Sequence, residues 1–290
     1  MDFTPAHSQM KLRSSHIHSL LDLSKQAPAI LRNPPGSHLF PLTLFSKPET
    51  PELWANYENL LVACLATKDD KCALDCLQRM TTRFGPANER VMGLRGLYEE
   101  ALAENEAALE SILRGYDLVL KDNPVNVPIL KRRVALLRSM ARNTDAISAL
   151  VEFLDAFPTD ADAWCELSSL YECQGLHAQA IFCLEEALLV VPNAWNLHAR
   201  LGEMLYKSTV LSSNTEAALR VLAESVKRFC RSIELCDGYV RGYIGLQLSS
   251  KRLLELIDVK SEGKESDLPP VDVVHKLHQL ATHKLQHVEV

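Results

Sequence analysis

The sequence predicts an all-α protein: a right-handed α-solenoid of about five helix pairs with extra helices at its ends. Three observations carry that expectation. Pro124, Pro158 and Pro192 stand 34 residues apart, each between two amphipathic segments, where a proline ends one helix and lets the next begin. Good helix formers dominate from about residue 52 onward, and glycine is scarce, with 11 copies in 290 residues. Within the segments apolar residues recur at i, i+3 or i+4 and i+7, the spacing of one helix face rather than of a strand.

Three regions follow: 1–51, 52–258 and 259–290. The first holds one helical stretch, Ser15 to Leu31, and an extended connector. The connector's Leu39, Phe40, Leu42, Leu44 and Phe45 are too apolar for a free linker. They are expected against the first repeats or a partner. The middle region opens with a copy carrying Trp54, Leu61, Ala73 and Leu77. A second copy, 91–124, has about four extra residues in or near its turn. The third carries Leu130, Leu137, Ala146, Leu150, Phe153 and Pro158, with Asn143 or Thr144 capping its second helix.

The fourth copy is the best formed. Trp164, Leu167 and Tyr171 share one helix face; Ala180, Leu184 and Ala187 share a face on the next; Pro192 closes the unit. This resembles the tetratricopeptide signature, W-x2-L-G-x2-Y, then A-x3-F, then P. Small Ala180 and Ala187 let two helices approach, and Gly175 supplies the turn. A fifth unit begins at Leu201-Gly202 and resumes, after an insertion, in a long second helix from about Thr215 to Leu235. A further helix is expected from about Tyr239 to Ile257. The last region is a polar linker and a short helix, about Val271 to Val288, whose Val274, Leu277, Leu280 and Leu285 mark a docking face.

Several function classes are disfavoured. A formal net charge of −6 gives no electrostatic reason to expect nucleic acid. The longest clean apolar stretch, Leu60 to Ala66, is far too short for a membrane span, so membrane association is expected to be indirect, through partners. The N-terminus lacks a signal-peptide core, which points to the cytosol. No G-x-S-x-G, P-loop, G-x-G-x-x-G or H-E-x-x-H is present, so neither catalysis nor a cofactor is expected. Cys72 with Cys76, and Cys173 with His177, have metal-capable spacing, but the eight cysteines fall on and around the repeat core and are expected as buried apolar residues. His275 with His278 and His283 with His287 also have ligand spacing. Without acidic or cysteine neighbours they read as a solvated helix face, and no metal site is expected.

The charge pattern suggests where partners bind. Lys131, Arg132, Arg133, Arg138 and Arg142 cluster on one repeat, and Glu99, Glu100, Glu104 and Glu106 precede them. Ordinary inter-repeat ion pairs explain such a pattern. The functional alternative is a concave partner-binding face comprising Lys131, Arg138, Cys165, Ser169, Glu172 and Glu203. A carboxylate clamp of the co-chaperone kind is disfavoured. Its slots hold Lys131 with Ala135, Cys165 with Ser169, and Ala199 with Glu203, one lysine and no asparagine.

Beyond the generic repeat, longer phrases carry a narrower resemblance. "DKCALDCLQRMTTRFGPANERV", "YDLVLKDNPVN", "DAWCELSSLYECQGLHAQAIFCLEEALLVVPNA" and "RFCRSIELCDGYVRGYIGL" resemble the subunit 2 family of the endoplasmic reticulum membrane protein complex. The resemblance spans about residues 52 to 257 and includes the interrupted last repeat. Residues 1–51 and the tail after Ile257 depart from animal members, and the N-terminal departure leans toward a fungal one. The resemblance implies a non-catalytic scaffold on the cytoplasmic side of the endoplasmic reticulum, peripheral to the membrane. It implies support for insertion of transmembrane segments, tail anchors included. The implied partners are cytosolic segments of the complex's membrane subunits and a second soluble subunit. The alternative is another cytosolic tetratricopeptide adaptor or co-chaperone.

Overall fold

The computed structural model describes residues 21–31, 50–210, 214–259 and 268–287. The connector 32–49, most of the insertion tip and most of the polar linker lie outside these residues, as does the first part of the expected Ser15–Leu31 helix. Among the described residues every regular element is a helix. They are α1 (21–31), α2 (Pro51–Ala66), α3 (Asp70–Phe84), α4 (Glu89–Leu102), α5 (Glu106–Asp122), α6 (Val127–Ser139), α7 (Asn143–Ala156), α8 (Ala161–Cys173), α9 (His177–Val190), α10 (Trp195–Val210), α11 (Thr215–Leu235), α12 (Val240–Val259) and α13 (Val271–Gln286). The chain forms two compact units, Met1–Arg142 and Asn143–Val290.

Short polar caps set most helix starts. Thr50, Asp69, Asn88, Asn105, Asn126, Asp160 and Asn214 each accept a backbone N–H of the first turn with a side-chain oxygen. Asn126 and Asp160 come two residues after Pro124 and Pro158, so the periodic proline turn also carries the cap. Asn143 and Thr144 do not precede α7 as expected; they lie inside its first turn. At the end of α8 Gly175 takes φ 74°, the left-handed conformation that stops a helix. One period earlier Ala141 holds φ 56° in the same place without glycine's freedom.

In the first unit α2, α3 and α4 pack around Tyr57, Leu60, Leu61, Cys76, Met80 and Val91, and α1 closes this core with Ala27 and Leu31. Ser24 Oγ lies 2.7 Å from Thr67 Oγ1, and Arg79 donates to the Leu31 carbonyl. The helices α4, α5 and α6 continue the unit. The extra residues expected near the turn of the second copy instead lengthen its second helix: α5 has 17 residues where α7 and α9 have 14.

In the second unit α8/α9 and α10/α11 pack as antiparallel neighbours, with Ala180, Leu184, Ala187, Leu201 and Met204 at one seam. The long α11 spans Thr215–Leu235, as the interrupted repeat predicts. Its Phe229 is 1% exposed and lies between two glycines. A Cβ on Gly202 of α10 would lie 2.9 Å from the ring, and one on Gly245 of α12 only 2.0 Å. The first unit repeats the device: a Cβ on Gly96 of α4 would lie 2.2 Å from the Tyr116 hydroxyl of α5. Glycine in the small slot of a leading helix is thus matched by an aromatic from a neighbour. Where the slot holds Ser168, small Ala180 opposes it and accepts the serine hydroxyl at its carbonyl, 3.0 Å away. The terminal helix α13 docks on α12, burying Val274 and Ala281 in the core that contains Leu246 and Leu253.

Candidate partner-binding faces

The signature residues divide by depth. Ala146, Leu167, Ala180, Leu184 and Ala187 are buried, whereas Trp54, Leu130, Trp164 and Tyr171 are half-buried at the edges of their cores and Pro158 and Pro192 are exposed. Trp164 has a polar task as well. Its Nε1–H donates to the Pro158 carbonyl over 2.9 Å, tying the start of α8 to the proline turn before it. One period later His198 occupies the same slot, and its Nε2 lies 2.9 Å from the Pro192 carbonyl. Neutral His198 therefore carries its proton on Nε2. Burial lowers its pKa from the ordinary histidine value, partly offset by that carbonyl bond.

The leading helices are joined by polar contacts with one recurrent sense. In the first unit Glu58 of α2 pairs with Arg90 of α4 at 2.5 Å. Glu100 of α4 then accepts from Arg132 of α6, with Nε 3.0 Å away, and from the Tyr116 hydroxyl at 2.5 Å. Burial, reinforced by that carboxylate, pushes the Tyr116 phenol well above its ordinary pKa. In the second unit Ser169 of α8 accepts from Arg200 of α10 at 2.6 Å, and Glu172 pairs with Lys207, also at 2.6 Å. Glu203 of α10 pairs through both oxygens with Arg241 of α12. In each contact the acceptor belongs to the earlier helix and the donor to the later one. Successive helices are thereby held in register by charge-assisted bonds.

This bears on the expected face. Lys131 and Arg138 are exposed, Cys165, Ser169 and Glu172 half-buried, and Glu203 is 6% exposed beneath Arg241. Ser169, Glu172 and Glu203 thus spend their polar atoms on inter-helix contacts within the second unit rather than standing as independent ligands. Arg133 and Arg142 likewise pair with Asp117 and Glu110 of α5.

The periodicity did not flag a second surface. Ala178, Phe182, Glu185 and Leu189 form one exposed stripe on α9, with Phe182 53% and Leu189 76% exposed. The opposite side buries Ala180, Cys183, Leu184, Ala187 and Leu188. A helix apolar on both sides is the sequence signal for this, and "AIFCLEEALLV" carries it.

A cavity of about 510 Å³ lies among α2, α3 and α4, walled by Trp54, Met80, Phe84, Val91 and Leu94. Its charged rim includes Glu58 and Arg90, which are paired with each other. All eight cysteines are free thiols. Desolvation drives Cys72 up to about 11 and Cys76 and Cys183 up to about 12, so they stay protonated and poorly suited to ligation or attack. Cys165 is raised for the same reason. Among the described residues no group of three or more His, Cys, Asp or Glu converges as a metal site. No described helix is long and apolar enough to cross a membrane.

Helix pairs with this signature, small-slot packing and inter-helix contacts define a tetratricopeptide-type α-solenoid. The solved structure of Pseudomonas aeruginosa pilF shares the fold, with a TM-score of 0.50 at 15% identity over 82% of this chain and 92% of that one. The family profile described as the EMC2 TPR-like repeat domain matches residues 73–215. TPR repeat protein oca3 of Schizosaccharomyces pombe is 33% identical over 241 residues, covering 80% of this chain and 82% of its own. ER membrane protein complex subunit 2-A of Xenopus laevis is 31% identical over 234 residues, covering 79% and 74%. The chain belongs to the family of ER membrane protein complex subunit 2.

Proposed function

We propose that this protein is a non-catalytic scaffold subunit of the endoplasmic reticulum membrane protein complex, held peripherally on the cytoplasmic side, where it supports insertion of transmembrane segments, tail anchors included. The observation that carries this reading is the similarity to a protein named as subunit 2 of that complex, extending over 79% of the present chain. The physical chemistry agrees. Stacked helix pairs offer long, rigid faces, and a rigid face loses little conformational entropy when it holds an extended segment. The protein's partners are cytosolic segments of the membrane subunits and a second soluble subunit. The face around Lys131 and Arg138 suits an acidic segment, and the α9 stripe of Phe182 and Leu189 suits the apolar side of a helix. Attachment to the membrane is through those partners.

Crosslinking mass spectrometry on the assembled complex tests the assignment of faces. Links from Lys131 to a cytosolic segment of a membrane subunit are expected. Abundant links elsewhere with none at Lys131 would remove that face from the reading.

A further inference from the structure

We propose that His283 and His287 form a binding site for a divalent transition-metal ion of the copper, nickel and zinc group, closed across the last turn of α13. The two imidazoles are exposed, and their Nε2 atoms face each other 3.2 Å apart with ring planes at 70°. Nitrogens bound to one such ion at about 2.0–2.1 Å lie about 3.3–3.4 Å apart at a tetrahedral angle and about 2.9 Å apart at a right angle. The observed separation falls between these values, so the two nitrogens already stand at chelating distance. In the ion's absence the Nε2–H of one ring donates to the Nε2 of the other. On binding, the donor ring takes up its Nδ1–H tautomer, so that both Nε2 lone pairs meet the ion, which exchanges two of its waters for the two neutral nitrogens with no net release of a proton. Imidazole nitrogens suit copper, nickel and zinc and not magnesium or calcium, which prefer oxygen.

The surroundings set this pair apart from its neighbours. His278, at ligand spacing from His275, turns its Nδ1 to the Gln247 carbonyl and Ser250 Oγ of α12, each 3.2 Å away, and so is drawn from that pair. Lys284, which lies between His283 and His287 in sequence, directs its ammonium to Asp237 at 3.2 Å and over the Tyr243 ring. Its charge is therefore matched elsewhere. The expected consequence is local: an ion bridging i and i+4 clamps the last turn of α13.

The test uses the full chain with its thiols reduced, titrated with nickel(II) alone in a non-coordinating buffer and read by calorimetry and by paramagnetic broadening of histidine ring signals. The His283 and His287 signals should broaden first and together. His283→Ala and His287→Ala should each weaken the first binding event by on the order of tenfold, the loss of one arm of a chelate. His275→Ala should leave it unchanged, with helical content constant throughout. Equal affinity in His283→Ala, or broadening of His275 before His283, would overturn the site and place the metal on thiols or other histidines.

Discussion

Replacing Gly245 by alanine sets two effects of opposite sign against each other. In a helix interior this exchange ordinarily stabilises by up to about 1 kcal/mol. Here the new methyl would lie 2.0 Å from Cε1, 2.2 Å from Cζ and 2.6 Å from Cδ1 of Phe229. The ring would have to retreat by more than about 1 Å to restore ordinary contact near 3.5 Å. It has nowhere to go: it is 1% exposed, and its far edge already meets the Gly202 backbone. Overpacking of this kind costs about 1–3 kcal/mol, and the absence of any escape direction places Gly245→Ala toward the upper end, net of the propensity gain. Urea unfolding followed by far-UV circular dichroism measures the loss. In a Phe229→Leu background the same methyl should cost far less, giving a favourable coupling of at least about 1 kcal/mol. Gly115→Ala in α5 is the control. Nothing lies within 4 Å of its Cβ, so it should stabilise by about 0.5–1 kcal/mol. Gly245→Ala as stable as the parent, or additive with Phe229→Leu, would refute the packing of Phe229 between two backbones.

Other outcomes follow from the same contacts. Arg241→Ala, which strips the nearly buried Glu203 of its partner, should destabilise by about 1–3 kcal/mol, below the range for fully buried pairs because Arg241 is 43% exposed; parent-like stability in urea would contradict this. The lowered pKa of His198 favours its neutral form in the folded state, so its contribution is complete above the ordinary value of about 6.5 and is lost as pH falls below it. His198→Gln, which keeps a donor for the Pro192 carbonyl, should flatten that part of the stability–pH curve; an unchanged slope would remove His198 as its source. Ala141→Gly should stabilise by about 1 kcal/mol and Gly175→Ala destabilise by a similar amount, since both positions have positive φ; thermal melts showing the same sign for both would contradict the turn geometry.

Much of the fold is legible because a packed repeat leaves a periodic trace. The prolines mark each turn, Trp164, Leu167 and Tyr171 mark a leading helix, and small Ala180 and Ala187 mark its close partner. Even the long α11 is readable, since "NTEAALRVLAESVKRFCRSIEL" keeps one apolar face throughout. The pairing of charges is harder to read. Glu58 with Arg90 is separated by 32 residues, Ser169 with Arg200 by 31 and Glu203 with Arg241 by 38, so no fixed offset from the 34-residue period finds them. Such offsets depend on side-chain reach and on helix lengths that vary from unit to unit. The match of Gly245 to Phe229 is equally hidden, because glycine reads as a weak helix former until the ring that occupies its place is known. The docking of α13 is half legible: its apolar face is evident, but the surface of α12 that receives it is set only once α11 and α12 have packed.

The scaffold role is tested most directly by affinity capture of the tagged full chain, expressed with the membrane subunits of the complex and extracted in mild detergent. The chain should recover those subunits in constant stoichiometry through gel filtration, and Leu189→Glu on α9 should reduce their recovery while leaving the chain's own unfolding free energy within about 0.5 kcal/mol of the parent. Recovery of soluble chaperones with no membrane subunit would contradict the scaffold role and favour a cytosolic adaptor.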